Sequence, residues 1–348
     1  KLSAGTGFDF STAEQKLFRT TLNQTFMKMI KLTSRLMPVL SAFFLLALSV
    51  ASCKKNDDTN SGSGTAATTI KITDAPSDDV NVSGAFVTIS EIRVDGQAVQ
   101  GFTKTTIDLA AYQNGNTKTI GTFNLEGKTY SSISFVLDFD ADATGNAPGC
   151  YVLTTGNVKH KLTTTSNVIT VTKNYTLQAA ASNSIVADFD LRKMIVAQSG
   201  NPADQYDFAT SAELQNDVRL VVESNSGTIS GTLTDAVSGS GKVVAYVYKK
   251  GTFNRTTELQ GQGASNVQFS NAVSSTLVGA GGSYQLHFLE SGDYEVHFAS
   301  YKDTNADGKY ELQGTLVVLT SGEIDILNLH ININATLTLN ATATAVLP

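Results

Sequence analysis

Three groups of residues in this chain have types and spacings that could do chemistry. The first is one sulfur. Cys53 directly follows Val50-Ala51-Ser52, and before these lies an uncharged apolar run, Leu36 to Ala51, led in by Lys28, Lys31 and Arg35 after Met27. Small residues ahead of a cysteine, behind a basic and then apolar leader, are what a lipoprotein signal peptidase accepts; the cysteine then becomes the acylated N-terminus of the mature chain. The apolar run has sixteen residues and contains Pro38, short of the roughly 20 that a spanning helix needs. It reads as a signal segment.

The second group is Asp303-Thr304-Asn305-Ala306-Asp307-Gly308-Lys309-Tyr310-Glu311. Oxygen ligands at alternate positions with glycine at the sixth place let a chain wrap a calcium ion, and Asp303, Asn305, Asp307 and Glu311 are the candidate ligands. The twelfth position is Gly314, so no bidentate glutamate closes the loop. The competing reading is a hairpin turn on Asp307-Gly308, in which the glycine supplies positive φ. Structural calcium is the one cofactor raised by the sequence; none is required.

The third group is paired carboxylates: Asp138-Phe139-Asp140, followed by Asp142, and Asp188-Phe189-Asp190. As glycosidase residues they would converge within about 5 to 10 Å in a cleft. As strand-terminating aspartates they would accept hydrogen bonds from loop amides. The four histidines, at 160, 287, 297 and 330, include no helical i, i+4 pair, and two imidazoles facing each other across a hairpin make a poor zinc site. With Cys53 linked to lipid, Cys150 has no disulfide partner and reads as a buried structural thiol. The chain has no Gly-x-Ser-x-Gly elbow, no Gly-rich phosphate loop and no Cys-x-x-Cys. No catalytic residue is assigned. Tryptophan is absent, so a sugar-stacking surface would have to draw on the eleven tyrosines.

Behind these residues the chain divides by composition. Residues 1–26 precede Met27 and have no place in a signal peptide, which points to an upstream extension; 27–52 is the signal peptide. Residues 53–67 form a tether of Lys, Asn, Asp, Ser, Gly and Thr that cannot bury enough apolar surface to fold. With the six basic and two acidic residues of 1–52 set aside, 19 Lys+Arg face 29 Asp+Glu, a net charge of −10. Such a surface repels polyanions, so nucleic acid is excluded as a partner.

Beyond the tether, period-two alternation dominates. Thr69–Thr73, Phe86–Val94, Ser132–Leu137, Ser184–Phe189, Val218–Val222 and Thr228–Leu233 read as strands, with short helical turns at Leu109–Gln113 and Leu191–Gln198. Tyr284, Leu286 and Phe288 alternate with Gln285 and His287; after Ser291-Gly292-Asp293, Tyr294, Val296 and Phe298 alternate with Glu295 and His297. These read as a hairpin with His287 and His297 on its polar face. The fold class is all-β: two β-sandwich domains in tandem, 68–224 and 225–348, meeting at the Ser-Asn-Ser-Gly seam near Glu223 to Gly227.

Four segments of the first domain resemble, in order, the bacterial family called domain of unknown function 4382: Ile70-Lys71-Ile72-Thr73-Asp74-Ala75-Pro76, Val87-Thr88-Ile89-Ser90-Glu91-Ile92, Tyr130 through Leu137, and Val186-Ala187-Asp188-Phe189-Asp190. The resemblance implies a lipid-anchored, secreted, β-rich protein and carries over no catalytic residues. The second domain resembles transthyretin-like or carboxypeptidase-regulatory-like sandwiches at Ile229-Ser230-Gly231-Thr232-Leu233 and Gly282-Ser283-Tyr284, apart from a long insert at Gly251–Gly279. Such domains usually act as spacers or interaction modules. Lys54, Lys55, Asp57 and Asp58 after the lipid cysteine resemble the export signal of surface lipoproteins in the Bacteroidetes phylum.

The expectation is a non-enzymatic outer-membrane lipoprotein, periplasm-facing or cell-surface exposed, held by its N-terminal lipid and presenting β domains to an extracellular ligand or envelope protein. A glycan hydrolase using the paired aspartates and a structural subunit of an outer-membrane assembly are the alternatives.

Overall fold

The computed structural model describes residues 64–75, 82–154, 156–197, 206–239, 241–306, 310–322 and 324–348. Cys53, the signal segment and most of the tether lie outside the described residues, as does Asp307.

The alternating segments form strands as their pattern requires. The described chain is an all-β structure of two lobes with a few short helices. In the first lobe a four-stranded sheet runs in the order Val218–Val222, Ser182–Asp190, Thr65–Ala75, Lys118–Glu126, the middle two parallel. It faces a seven-stranded antiparallel sheet built on Val82–Val94, Thr129–Leu137 and Val168–Thr176. Ile70, Ile72, Ile185 and Phe189 of one layer meet Ile89, Ile133, Phe135 and Ile169 of the other in a single core. The rings of Phe135 and Phe189 cross the gap edge-on at 5.3 Å. Each such side chain contributes about 1.5–3 kcal/mol by leaving water, and this holds the layers together.

The second lobe is one nine-stranded sheet that curls until its ends face each other. Ile229, Leu286, Val296, Phe298 and Leu316 share its core, and Tyr284 meets Phe298 edge-on at 5.3 Å. The strands Ser283–Glu290 and Gly292–Lys302 do not pair with each other. The first pairs with Ser226–Asp235 and the second with Lys242–Lys249. The expected hairpin is therefore overturned: Gly292, at φ +148°, redirects the chain from one layer to the opposite one. Alternation shows which face of a strand is apolar but not which sheet takes it.

The insert after Lys249 lays the short helix Arg255–Leu259 and a following loop over the outer face of this sheet. Tyr246, Tyr248, Phe269 and Tyr301 form a third core there, with Tyr246 and Phe269 stacked at 4.2 Å. The far side of that loop meets the first lobe.

Candidate functional site

Where the insert meets the first lobe, the four-stranded sheet loses its alternation. In Ser182–Asp190 the inward residues Ile185, Ala187 and Phe189 are buried as expected, yet the outward ones, Val186, Asp188 and Asp190, are buried too. The second lobe covers them. Charges that cannot reach water must be paired, and the register supplies partners. Asp188 lies directly opposite Arg219 on the neighbouring antiparallel strand, and an Arg219 nitrogen approaches its carboxylate to 2.5 Å. Another Arg219 nitrogen donates to the Phe288 carbonyl of the second lobe. Phe288 stands in a bulge at φ +55°, a left-handed conformation costly for a bulky residue, and its carbonyl there receives Arg219.

After Asp190 the chain turns into the short helix Leu191–Met194, which carries two cations back over the strand end. Arg192 Nη2 lies 3.1 Å and Lys193 Nζ 3.4 Å from Asp190 Oδ2. Both also reach across the seam. Arg192 donates to the carbonyls of Gln268 and Phe269 and lies 5.2 Å from the centre of the Tyr246 ring, while Lys193 donates to Ala272 O at 2.8 Å. The helix Ser211–Asp217 opens with a capping box in which Thr210 and Glu213 satisfy each other's backbone amides. Glu213 also accepts from Ser265 N at 3.0 Å. Burial works against its charge, but the hydrogen bonds from Ser265 and Thr210 outweigh that and hold its carboxyl at about 2.

Between the lobes lies a cavity of about 380 Å³, lined by Asp188, Asp190, Lys193, Asp217, Arg219 and the turn 270–274. Asp217 ends its helix here in a buried position, and desolvation pushes its carboxyl up to about 7 despite nearby Lys193. Burial likewise raises Asp74 well above the carboxylate range and raises Asp188 against the pull of Arg219; it lowers Lys193. Asp190 Oδ1 and Asp217 Oδ2 are buried with no hydrogen-bond partner among the described residues.

Sequence reasoning singled out Asp188 and Asp190 but missed Arg192, Lys193, Asp217 and Arg219. One signal was available: Thr210-Ser211-Ala212-Glu213 is a capping box, which announces the helix that ends at Asp217.

The other triplet serves a different part of the first lobe. Asp138 is ion-paired to Lys104 at 2.7 Å and accepts from the amides of Ala141 and Asp140. The Lys104 bond first, then these amides, hold its carboxyl at about 2. Asp140 pairs with Lys161 at 2.8 Å, and Asp142 accepts from the amides of Thr144 and Asn146. The two triplets share no partner among the described residues; Asp138 and Asp142 are loop-capping aspartates, and Asp140 forms an exposed ion pair.

His287 and His297 stand on strands that do not pair. His287 bonds Gln285 at 2.8 Å, whereas His297 stacks on Phe253 at 3.7 Å. In the 303–311 loop, Glu311 accepts from Thr304 N and Oγ1, both at 2.9 Å, and Asp303 accepts from Ala306 N at 2.6 Å. Asn305 lies in the same loop.

Cys150 is fully buried, accepts from Thr88 N, and has its thiol pushed up to about 12 by burial. The thiolate is the nucleophile, so iodoacetamide at pH 8 should leave folded protein unlabelled at Cys150 and label it in urea. Peptide mass spectrometry reads the difference; labelling at equal rates in both states would mean an accessible thiol.

The comparison with curated proteins returns no match. Three solved structures are similar to this chain: a leucine-rich repeat protein from Bacteroides thetaiotaomicron (12% identity, 78% of this chain, 26% of that one, TM-score 0.21), the Bacillus anthracis TIE protein (12%, 80%, 34%, 0.18) and GBS52, the minor pilin of Streptococcus agalactiae (10%, 81%, 97%, 0.19). The chain thus spans 26% and 34% of the lengths of the first two, and TM-scores of this size carry no argument. The family comparison agrees with the four segments of the first lobe: residues 65–209 match the model described as Domain of unknown function (DUF4382), and this part of the chain is a DUF4382 module.

Proposed function

We propose that this is a non-enzymatic lipoprotein of the cell envelope, held to the outer membrane through acylated Cys53, whose two β lobes act as one binding or scaffold module toward an extracellular ligand or envelope protein. The observation that carries the reading is the use to which the buried charges are put. Asp188 and Asp190 are engaged by Arg219 and Arg192, and these arginines also grip backbone carbonyls of the second lobe. A carboxylate pinned in this way is a poor general base, so the raised Asp217 has no free partner with which to run two-carboxylate chemistry. Lobes bolted through a charged seam suit a rigid body standing on a tether. The second lobe is read as a transthyretin-like spacer, and its 303–311 loop, with Asp303, Asn305, Asp307 and Glu311, as the place where a structural calcium ion would sit.

Replacing Cys53 by Ser removes the lipid-bearing sulfur. The variant should move from the membrane fraction to the soluble fraction while the native protein stays with membranes. Retention of Cys53→Ser in membranes through residues 36–51 would refute the anchor.

A further inference from the structure

One margin of the first lobe is unfinished. Lys118–Glu126 ends its four-stranded sheet and, among the described residues, pairs with no strand but Thr65–Ala75. The opposite margin, Val218–Val222, meets the second lobe through Arg219 and the Phe288 carbonyl. Register tells which groups of the open margin are unused. Just beyond the paired stretch Gly127 N donates to Gly64 O, and hydrogen-bonded pairs recur at every second residue of an antiparallel ladder. Phe123 and Leu125 therefore turn their backbone groups toward Thr68 and Ala66, while Thr122, Asn124 and Glu126 turn theirs away from the sheet. Glu126 O accepts from the Tyr130 hydroxyl at 3.1 Å; no strand among the described residues reaches the others. A row of backbone groups of this kind is a template for one more strand.

Two features say which strand fits. The segment carries one charge at each end, Lys118 and Glu126, and none between. Set antiparallel against a second copy, each Lys118 end meets the other copy's Glu126 end; set parallel, like charges would meet, which is unfavourable. The bulge opposite Ile70 and Lys71 shifts the Lys118 end by one residue, about 3.3 Å, which a lysine side chain can span. The second feature is a groove of about 320 Å³ beside the Glu126 half of the strand. Val99, Phe123 and Leu125 give it apolar surface, and its charged groups are the carboxylates of Asp95 and Glu126 against the single amine of Lys128. An incoming lysine is complementary to that lining. Glu126 can change partner, because its 2.7 Å bond to Lys128 joins side chains 57% and 49% exposed, and such surface pairs are held weakly.

We propose that the chain forms a two-fold dimer in which Lys118–Glu126 of two copies pair antiparallel about Thr122 and join their sheets into one. Each contact of such an isologous interface occurs twice, so two Lys118–Glu126 pairs flank the axis. The dimer goes beyond the proposed function and does not depend on Cys53. A single strand pair makes a weak, exchanging contact, so the test traps it.

Facing residues of a hydrogen-bonded antiparallel pair have Cα atoms about 5.5 Å apart, inside the span of a disulfide. In the purified full chain, Thr122→Cys should therefore oxidise to a covalent dimer on a non-reducing gel. It should do so about tenfold faster than Thr342→Cys, an exposed position on the second lobe. Cys53 and buried Cys150 are common to both proteins. Adding Lys118→Glu should slow the cross-link about five- to tenfold by setting like charges opposite each other. Adding Glu126→Lys to that variant should restore the rate to within about twofold. Both positions are exposed, and thermal melting should show every variant folded. Equal oxidation of Thr122→Cys and Thr342→Cys, an unchanged rate with Lys118→Glu, or no recovery in the charge-exchanged variant would each overturn the dimer. In envelope extracts, a Thr122→Cys adduct with a chain of another mass would assign this margin to a different partner and overturn the second copy. Release of Cys53→Ser from membranes is read separately, so either conclusion can fail without the other.

Discussion

Replacing Arg192 by Ala should lower unfolding stability by about 3–5 kcal/mol, among the largest effects of any single side chain outside the cores. Its guanidinium side chain is 3% exposed and lies against an Asp190 side chain that is 10% exposed. Truncation leaves that carboxylate buried beside Lys193 alone, removes donors from the Gln268 and Phe269 carbonyls, and strips the cation from the face of Tyr246. Breaking a buried pair costs more than the pair contributes, because the survivor stays desolvated. Urea denaturation gives the number. The double variant Asp190→Asn/Arg192→Ala should be less damaged than the sum of its singles, by about 0.5–3 kcal/mol of coupling. A loss below about 1 kcal/mol for Arg192→Ala would mean that water reaches these charges and that the seam does not lock the lobes.

The elements of this fold were legible because strand patterning is local. Val218–Val222 reads as a strand from five residues and is one; the other alternating segments lie inside longer strands. What was not legible required contacts made far along the chain. Asp188 and Asp190 look like aspartates that end a strand in water, and nothing within ten residues says otherwise. Asp190 is paired with Arg192, which a loop near residue 268, more than seventy positions away, holds by two carbonyls, and Asp188 is paired with Arg219, which reaches the Phe288 carbonyl. The same loop appears in sequence only as an insert that departs from a compact sandwich. Likewise, alternation around Tyr284 and Tyr294 gave Tyr284, Leu286, Tyr294, Val296 and Phe298 correctly as buried, while the bulge that leaves Phe288 half-buried and buries Leu289 instead, the burial of Glu295 and the change of layer at Gly292 left no trace in the period. The seam is a tertiary fact written in residues that look individually ordinary.

Asp217 makes the second large prediction, and its sign is opposite to that of most carboxylates. Burial places the folded carboxyl at about 7, against 3.8 for the ordinary group. Below pH 3.8 both folded and unfolded chains hold the proton and the residue is neutral in its effect. Between 3.8 and 7 the unfolded chain gives up its proton while the folded chain keeps it, so stability falls as pH rises; above 7 the full cost of a buried charge remains. The separation between 3.8 and 7 corresponds to about 4 kcal/mol. Other groups bend the absolute profile: the contributions of Asp138 and Glu213, both held near 2, are lost as acid is added, and half-buried His287 and His297 have their pKa lowered by desolvation. Subtraction removes them. The stability of Asp217→Asn minus that of the native chain should be near zero at pH 3.5, rise through pH 4–7 and level off at about 4 kcal/mol above it. Urea midpoints at four or five pH values would trace the curve, and a flat difference would mean that Asp217 is solvated.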